Sequence, residues 1–227
     1  MKPTRNALFL VVLLVLAGTA PALALPVTLS YTADNVVVNG WVISDGTVTP
    51  FTTVGSNAGN WRIADTYALD LVAGQTYQII WQTMNADPNG QPLGPKNPGG
   101  LLAQIDLPDQ SSLLSSSSWE VALLEQGLIL PANPDFNTWT WFGAYAYGEN
   151  SGPSIWTTVL GSPVAGIDED AHWIWWENNF GNIPPDVEDS VFVRATFDVP
   201  APIPDPGTIY LLGSGLIGLA ALRKRIK

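Results

Sequence analysis

The sequence predicts an all-β protein, a β-sandwich or jelly roll, between an N-terminal signal peptide and a single C-terminal hydrophobic helix. Three observations predict it. Apolar residues alternate with period two through the middle of the chain. Turn dipeptides punctuate those runs, and no stretch there carries a sustained helical stripe. Finally, both ends have the composition of sorting segments rather than of a folded core.

At the N-terminus, Lys2 and Arg5 form a basic region and Ala7 to Leu16 an apolar one. Ala22-Leu23-Ala24 is a small-x-small cleavage site. This order defines a secretory signal peptide over 1–24, whose apolar run falls short of the ~20 residues a bilayer span needs. Signal peptidase is the partner it implies, and the mature chain starts near Leu25.

The domain over 25–199 reads as strands. Tyr67, Leu69 and Leu71 share one face. In the next run Tyr77, Ile79 and Trp81 face one way, with Gln78 and Gln82 on the other side. Leu101, Ala103, Ile105 and Leu107 alternate with Gln104 and Asp106. Val191, Val193, Ala195, Phe197 and Val199 alternate with Arg194, Thr196 and Asp198. Each pattern is that of a half-buried strand. Asn39-Gly40, Asp45-Gly46 and Asn89-Gly90 are hairpin-turn pairs, and Gly74 supplies another tight turn. Asp34 and Asn35 read as turn formers bonded to their own backbone. Three segments read as loops at the ends of the sandwich: Pro- and Gly-rich Asn85 to Gly100, Ser-rich Gln110 to Ser118, and Pro131 to Asn137.

The C-terminus has three parts. A Pro-rich spacer over 200–207 contains Pro204-Asp205-Pro206. A hydrophobic segment follows over 208–222, then a basic tail, 223–227, opening with Arg223-Lys224-Arg225. Fifteen helical residues reach about 22 Å, short of the ~30 Å hydrocarbon core. Gly213 and Gly215 weaken the helix further. Basic residues after it hold that end in the cytoplasm. These features describe a weak or temporary membrane anchor.

Charge separates the ends from the middle. Six of nine Lys and Arg lie in the two terminal signals. Between Leu25 and Ile203 three basic residues face 19 acidic ones, a net charge of −16. Nucleic acid needs clustered cations, so it is not an expected partner. The chain has no cysteine, which removes thiol nucleophiles, zinc–thiolate sites and disulfides.

All ten Trp lie in the exported domain. Sugars present apolar C–H faces to aromatic rings and hydroxyls to carboxylates and amides, so aromatic platforms on loops are the requirement for a polysaccharide site. Trp81 and Trp119 sit in strand patterns and are assigned to the core. Trp173 and Trp175 share a strand face, with Trp176 on the other. Trp139, Trp141, Tyr145 and Trp176 are the candidate ligand contacts, the alternative for each being core packing. Asp168, Asp170, Asp186 and Asp189 bracket the Trp173–Trp176 run. They are candidate ligands for a structural calcium, which takes six to eight oxygens; solvated loop charge is the competing reading. No other cofactor is expected.

Catalysis finds no motif. His172 is the only histidine and reads as a packed or edge residue. There is no Gly-x-Ser-x-Gly elbow and no His-Glu-x-x-His. A glycosidase needs only two carboxylates, which 19 acidic residues supply by chance. The chain is read as a non-enzyme.

Pro204-Asp205-Pro206, the block Tyr210 to Leu219 and the Arg-Lys-Arg tail resemble the PEP-CTERM sorting signal, with Pro-Asp-Pro where that family has Pro-Glu-Pro. The resemblance implies an exosortase-type processing enzyme and export across the inner membrane of a Gram-negative, biofilm- or exopolysaccharide-producing bacterium to the cell surface or beyond. A second resemblance covers most of 30–198. Thr32-Ala33-Asp34-Asn35, Val36 to Gly40, Asn60-Trp61, Tyr67 to Gln75, Asn97 to Ala103, Ser118-Trp119-Glu120, Ala171 to Trp175 and Val191 to Phe197 follow in order. They are similar to the galactose-binding-like jelly-roll modules of glycoside hydrolases, with Gln75 where that pattern has Asn. It implies a sugar-binding or protein-contact module, often with a structural calcium. The sequence therefore leads to an exported polysaccharide-binding module; the alternatives are a purely structural matrix protein, or a glycosidase.

Overall fold

The computed structural model describes residues 23–34, 36–51, 60–85, 99–123, 130–131, 134–154, 156, 163–176, 190–201 and 206–225. Their strands, in chain order, are β1 (Ala24–Asp34), β2 (Val36–Ser44), β3 (Thr47–Phe51), β4 (Asp65–Val72), β5 (Thr76–Met84) and β6 (Gly100–Asp106). Next come β7 (Ser112–Leu114), β8 (Glu120–Leu123), β9 (Phe142–Gly143), β10 (Tyr145–Glu149), β11 (His172–Trp175) and β12 (Val191–Asp198). A 3-10 turn covers Phe136–Thr138, and helix α1 covers Pro206–Arg225.

The strands form two antiparallel sheets. The first has the order β10-β11-β6-β1-β4, with β7 beside β6. The second has the order β3-β2-β5-β12-β8-β9. Their facing sides share one core, and the period-two patterns assign it correctly. Leu69 and Tyr67 pack on it and Leu71 lies within it. Tyr77, Ile79 and Trp81 come from β5; Leu101, Ala103 and Ile105 from β6; Val191, Val193, Ala195 and Phe197 from β12.

The register sorts the connections by length. Asp34 pairs with Gly100, Val36 with Met84, and Val191 with both Thr83 and Leu123. Phe51 pairs with Gly40, Asp65 with Tyr31 and Trp175 with Tyr145. The β3–β4, β5–β6 and β11–β12 connections therefore leave from one end of the sandwich. The opposite end has tight turns. Asp45 (φ 47°) and Gly46 (φ 73°) join β2 to β3, and Gly74 (φ 75°) turns β4 into β5. Both follow from the turn chemistry of these residues.

Four expectations are corrected. Asn39-Gly40 is no turn: both residues lie inside β2, beside a register shift between Val37 and Asn39. Gly40 is needed there because a Cβ would run into the Phe51 ring packed over it. Asp34 is not a local turn former but the last, buried residue of β1. The Ser-rich segment is not wholly loop, since Ser112–Leu114 forms β7. Trp173 and Trp175 do not share a cluster: Trp175 joins the inner core and Trp173 an outer one. β11 meets β6 at the single pair Ile174–Leu101, and Gly99 leaves room for the Trp175 ring.

Candidate functional site

Apolar clusters account for the ten Trp. Trp81 and Trp119 stack in the inner core, with centroids 5.6 Å apart and planes 2° from parallel. Trp175 joins them, and half-buried Trp176 packs against the same core. Trp41, Trp139 and Trp141 lie on the outer face of the second sheet with Ile43, Ile80, Phe136 and Phe192. Trp61, Trp156 and Trp173 lie on the outer face of the first sheet with Leu102, Val164 and Ile167. Each sheet is thus covered on both sides, with aromatic residues from strands and loops packed across its outer faces.

The segment from Asp135 to Tyr147 builds the most open of these surfaces. The Asp135 carboxylate accepts a hydrogen bond from the Asn137 amide (3.2 Å) and starts the 3-10 turn. The turn presses Phe136 onto Trp41, centroid to centroid 5.1 Å. Trp139 then meets Phe192 edge-on at 4.7 Å and Trp141 in a stack at 6.3 Å. Trp141 Nε1 donates to the Phe136 carbonyl (3.2 Å). The Arg194 guanidinium lies 4.1 Å from the Trp141 ring centre and is paired with Glu120 at 2.7 Å. Cation–π contact and ion pair together hold the indole in place.

Beyond Trp141 the same chain forms both edges on this side. β9 pairs with β8, the Ala144 amide bonds the Trp119 carbonyl (2.9 Å), and β10 then enters the first sheet. Phe142 is 58% exposed and Tyr145 39% exposed. Tyr145 meets Tyr147 edge-on at 5.1 Å. Half-buried Trp139 and Trp141, exposed Phe142 and exposed Tyr145 therefore line one continuous segment, with the Arg194–Glu120 pair beside its indoles. Ring faces of this kind stack on sugar C–H groups, and the ion pair offers donors and acceptors to hydroxyls.

Of the candidate contacts, Trp139 and Trp141 are brought together and Tyr145 follows them on the neighbouring edge. Trp176 belongs to another cluster, at the end of β11. Asp168 and Asp170 are exposed, and the Asp168 carboxylate accepts from the Asp170 amide (2.9 Å). Asp186 and Asp189 lie outside the described residues, as do Pro204 and Asp205. Pro206 is the first residue of α1, and Arg223, Lys224 and Arg225 its last three. Among the described residues no three His, Asp or Glu side chains come together as a metal site.

Three buried polar residues are not evident from the sequence alone. Asp34 is 5% exposed and accepts from Trp156 Nε1 at 3.0 Å. Burial pushes its carboxyl up to about 6, against a smaller lowering by the Trp156 bond. Asn150 is fully buried: its Nδ2 donates to the carbonyls of Val164, Ile167 and Asp168, and its Oδ1 accepts from the Val164 amide. Ser115 sits where β6 and β11 diverge. Its Oγ donates to the His172 carbonyl and accepts from the Ala103 amide. The available signal was weak: an acid ending an apolar-alternating run, and single polar residues in loops.

Comparison of the chain with family models, with curated proteins and with solved structures finds no match.

Proposed function

We propose that this chain is an exported, non-catalytic polysaccharide-binding module, sent to the cell surface or matrix by a PEP-CTERM sorting signal. The sandwich is, in this reading, a jelly roll of the galactose-binding-like kind. Its non-sequential neighbours, β1 between β4 and β6 and β12 between β5 and β8, support that topology. The observation that carries the binding reading is the aromatic segment of Trp139, Trp141, Phe142 and Tyr145, whose exposed rings serve no core.

The test uses the two most exposed rings, so that folding is spared. A Phe142→Ala, Tyr145→Ala double variant should keep its stability within about 0.5 kcal/mol. It should lose about tenfold in polysaccharide affinity, equivalent to ~1.4 kcal/mol, in a pull-down or titration calorimetry. Unchanged affinity in a variant that still melts like the native chain rejects this surface.

A second reading has its own support. Because each of the ten Trp packs in an apolar cluster, the aromatic content is also explained by architecture alone. A structural matrix protein would bind no glycan even as the native chain, and that result would replace the first reading.

A further inference from the structure

The charges around this surface narrow the ligand, and the narrowing rests on the polysaccharide reading above. The portion between the two terminal signals carries −16. Its described cations are Arg62 and Arg194, and both lie over indole rings, Arg62 at 5.3 Å from Trp61 and Arg194 at 4.1 Å from Trp141. Arg194 is half-buried and further committed. Its Nε and Nη2 both bond the same Glu120 oxygen, at 2.9 and 2.7 Å. The cation beside the aromatic segment is therefore compensated before any ligand arrives. Glu120 is the more exposed partner, at 41% against 14%. What faces solvent is the carboxylate side of the pair. Asp135, which caps the turn, is an exposed acid on the same segment.

A uronate or sulfated chain brought to this surface would meet like charge from Glu120 and Asp135, and the guanidinium beside the indoles, Arg194, is already paired. Like-charge juxtaposition is a strong device for rejecting a wrong partner. An uncharged sugar meets no such penalty, because ring stacking needs no charge and hydroxyls bond carboxylates well. We propose that the aromatic segment takes uncharged polysaccharide and excludes polyanionic polysaccharide, and that the Glu120–Arg194 pair is the element that enforces the exclusion.

The experiment is retention of the full chain, in detergent, on three immobilised polymers: a neutral β-glucan, a polyuronate, and a glucosamine polymer bearing free amines. Each is run at low and at high ionic strength. Retention on the neutral glucan at both salt levels, with none on the polyuronate at either, is the expected result. Salt-sensitive retention on the amine polymer alone overturns it, since that reports only the net charge. Retention on the polyuronate overturns the ligand class while leaving the sugar-binding reading standing. No retention on any polymer brings down that reading as well. Glu120→Gln supplies the second arm. Uncovering Arg194 should raise polyuronate retention severalfold, and salt should abolish the gain. A Glu120→Gln chain that folds as the native one does and gains nothing shows that the pair does not enforce the exclusion.

Discussion

At the scale of single residues, large apolar rings outweigh imperfect polar satisfaction. Trp81, Trp119 and Trp175 bury indole N–H groups that meet no hydrogen-bond acceptor among the described residues. Each such group costs about 1–3 kcal/mol. Burying some 200 Å² of ring returns about 5 kcal/mol at ~25 cal/mol/Å², so the ring wins. Asp34 is the opposite case, a small side chain whose charge has nothing apolar to offset it. Its folded carboxyl titrates at about 6, above the ordinary value near 3.8. Between those pH values the native state holds more protons than the unfolded one, so stability falls as pH rises through that window. The contribution is fully present below about pH 4 and gone above about pH 6, a difference on the order of 3 kcal/mol. Asp34→Asn keeps an acceptor for Trp156 Nε1 and removes the titration. Denaturant unfolding at pH 4 and pH 7 should therefore show a smaller decline for the variant, by roughly that amount. Parallel declines in the two proteins would mean that Asp34 is not buried as a carboxylate.

At the scale of elements, close packing is set by glycines as much as by apolar residues. In β2, Gly40 lies beneath Phe51, which meets Tyr31 and Tyr67 at centroid distances of 6.5 and 5.1 Å. Gly40→Ala forces that ring outward and should cost about 1–3 kcal/mol in chemical denaturation, with the strand content by circular dichroism retained. A cost under about 0.5 kcal/mol would mean that β3 yields freely at this edge. What could be read in the sequence divides along the same line. Faces of β4, β5, β6 and β12 were legible because a strand's own period decides which side is buried. The Asp45-Gly46 turn was legible because two positive φ angles demand such residues. Asn39-Gly40 carried the same signal and was misread, since the need for Gly came from Phe51 across the sheet rather than from the backbone. Asp34, Ser115 and Asn150 were missed for a related reason. Asp34 meets Trp156, 122 positions away, and Ser115 meets the His172 carbonyl, 57 away. No local pattern encodes such a partner. For the aromatic segment, the Trp139–Trp141 pairing was legible from spacing; the exposure of Phe142 was not, because it depends on β9 being an edge.

At the scale of the whole molecule, an acidic sandwich is joined to a helix of different character. α1 has 20 residues, about 30 Å at 1.5 Å each, and Tyr210, Leu211, Leu216, Ile217 and Leu222 are all more than half exposed. Its glycines and terminal Arg-Lys-Arg dilute that apolar character, and no helix among the described residues is long and apolar enough to cross a membrane. If α1 is the sorting tag proposed above, a helix so diluted would anchor only marginally, and the basic residues would be needed beside the apolar ones. The described backbone bonds that close the sandwich lie before it. The last of these bonds run from the Val199 amide to the Gln75 carbonyl and from the Gly74 amide to the Val199 carbonyl. A chain ending at Ala201 keeps both. In a Gram-negative host with processing blocked, the full chain should sediment with inner membrane, whereas the Ala201-terminated chain should appear in the soluble exported fraction with an unchanged melting temperature. Replacing Arg223, Lys224 and Arg225 by Asn should shift the full chain partway toward that fraction. If the Ala201-terminated chain still sediments with membrane, α1 is not what holds the protein there, and the affinity must be sought in the sandwich itself.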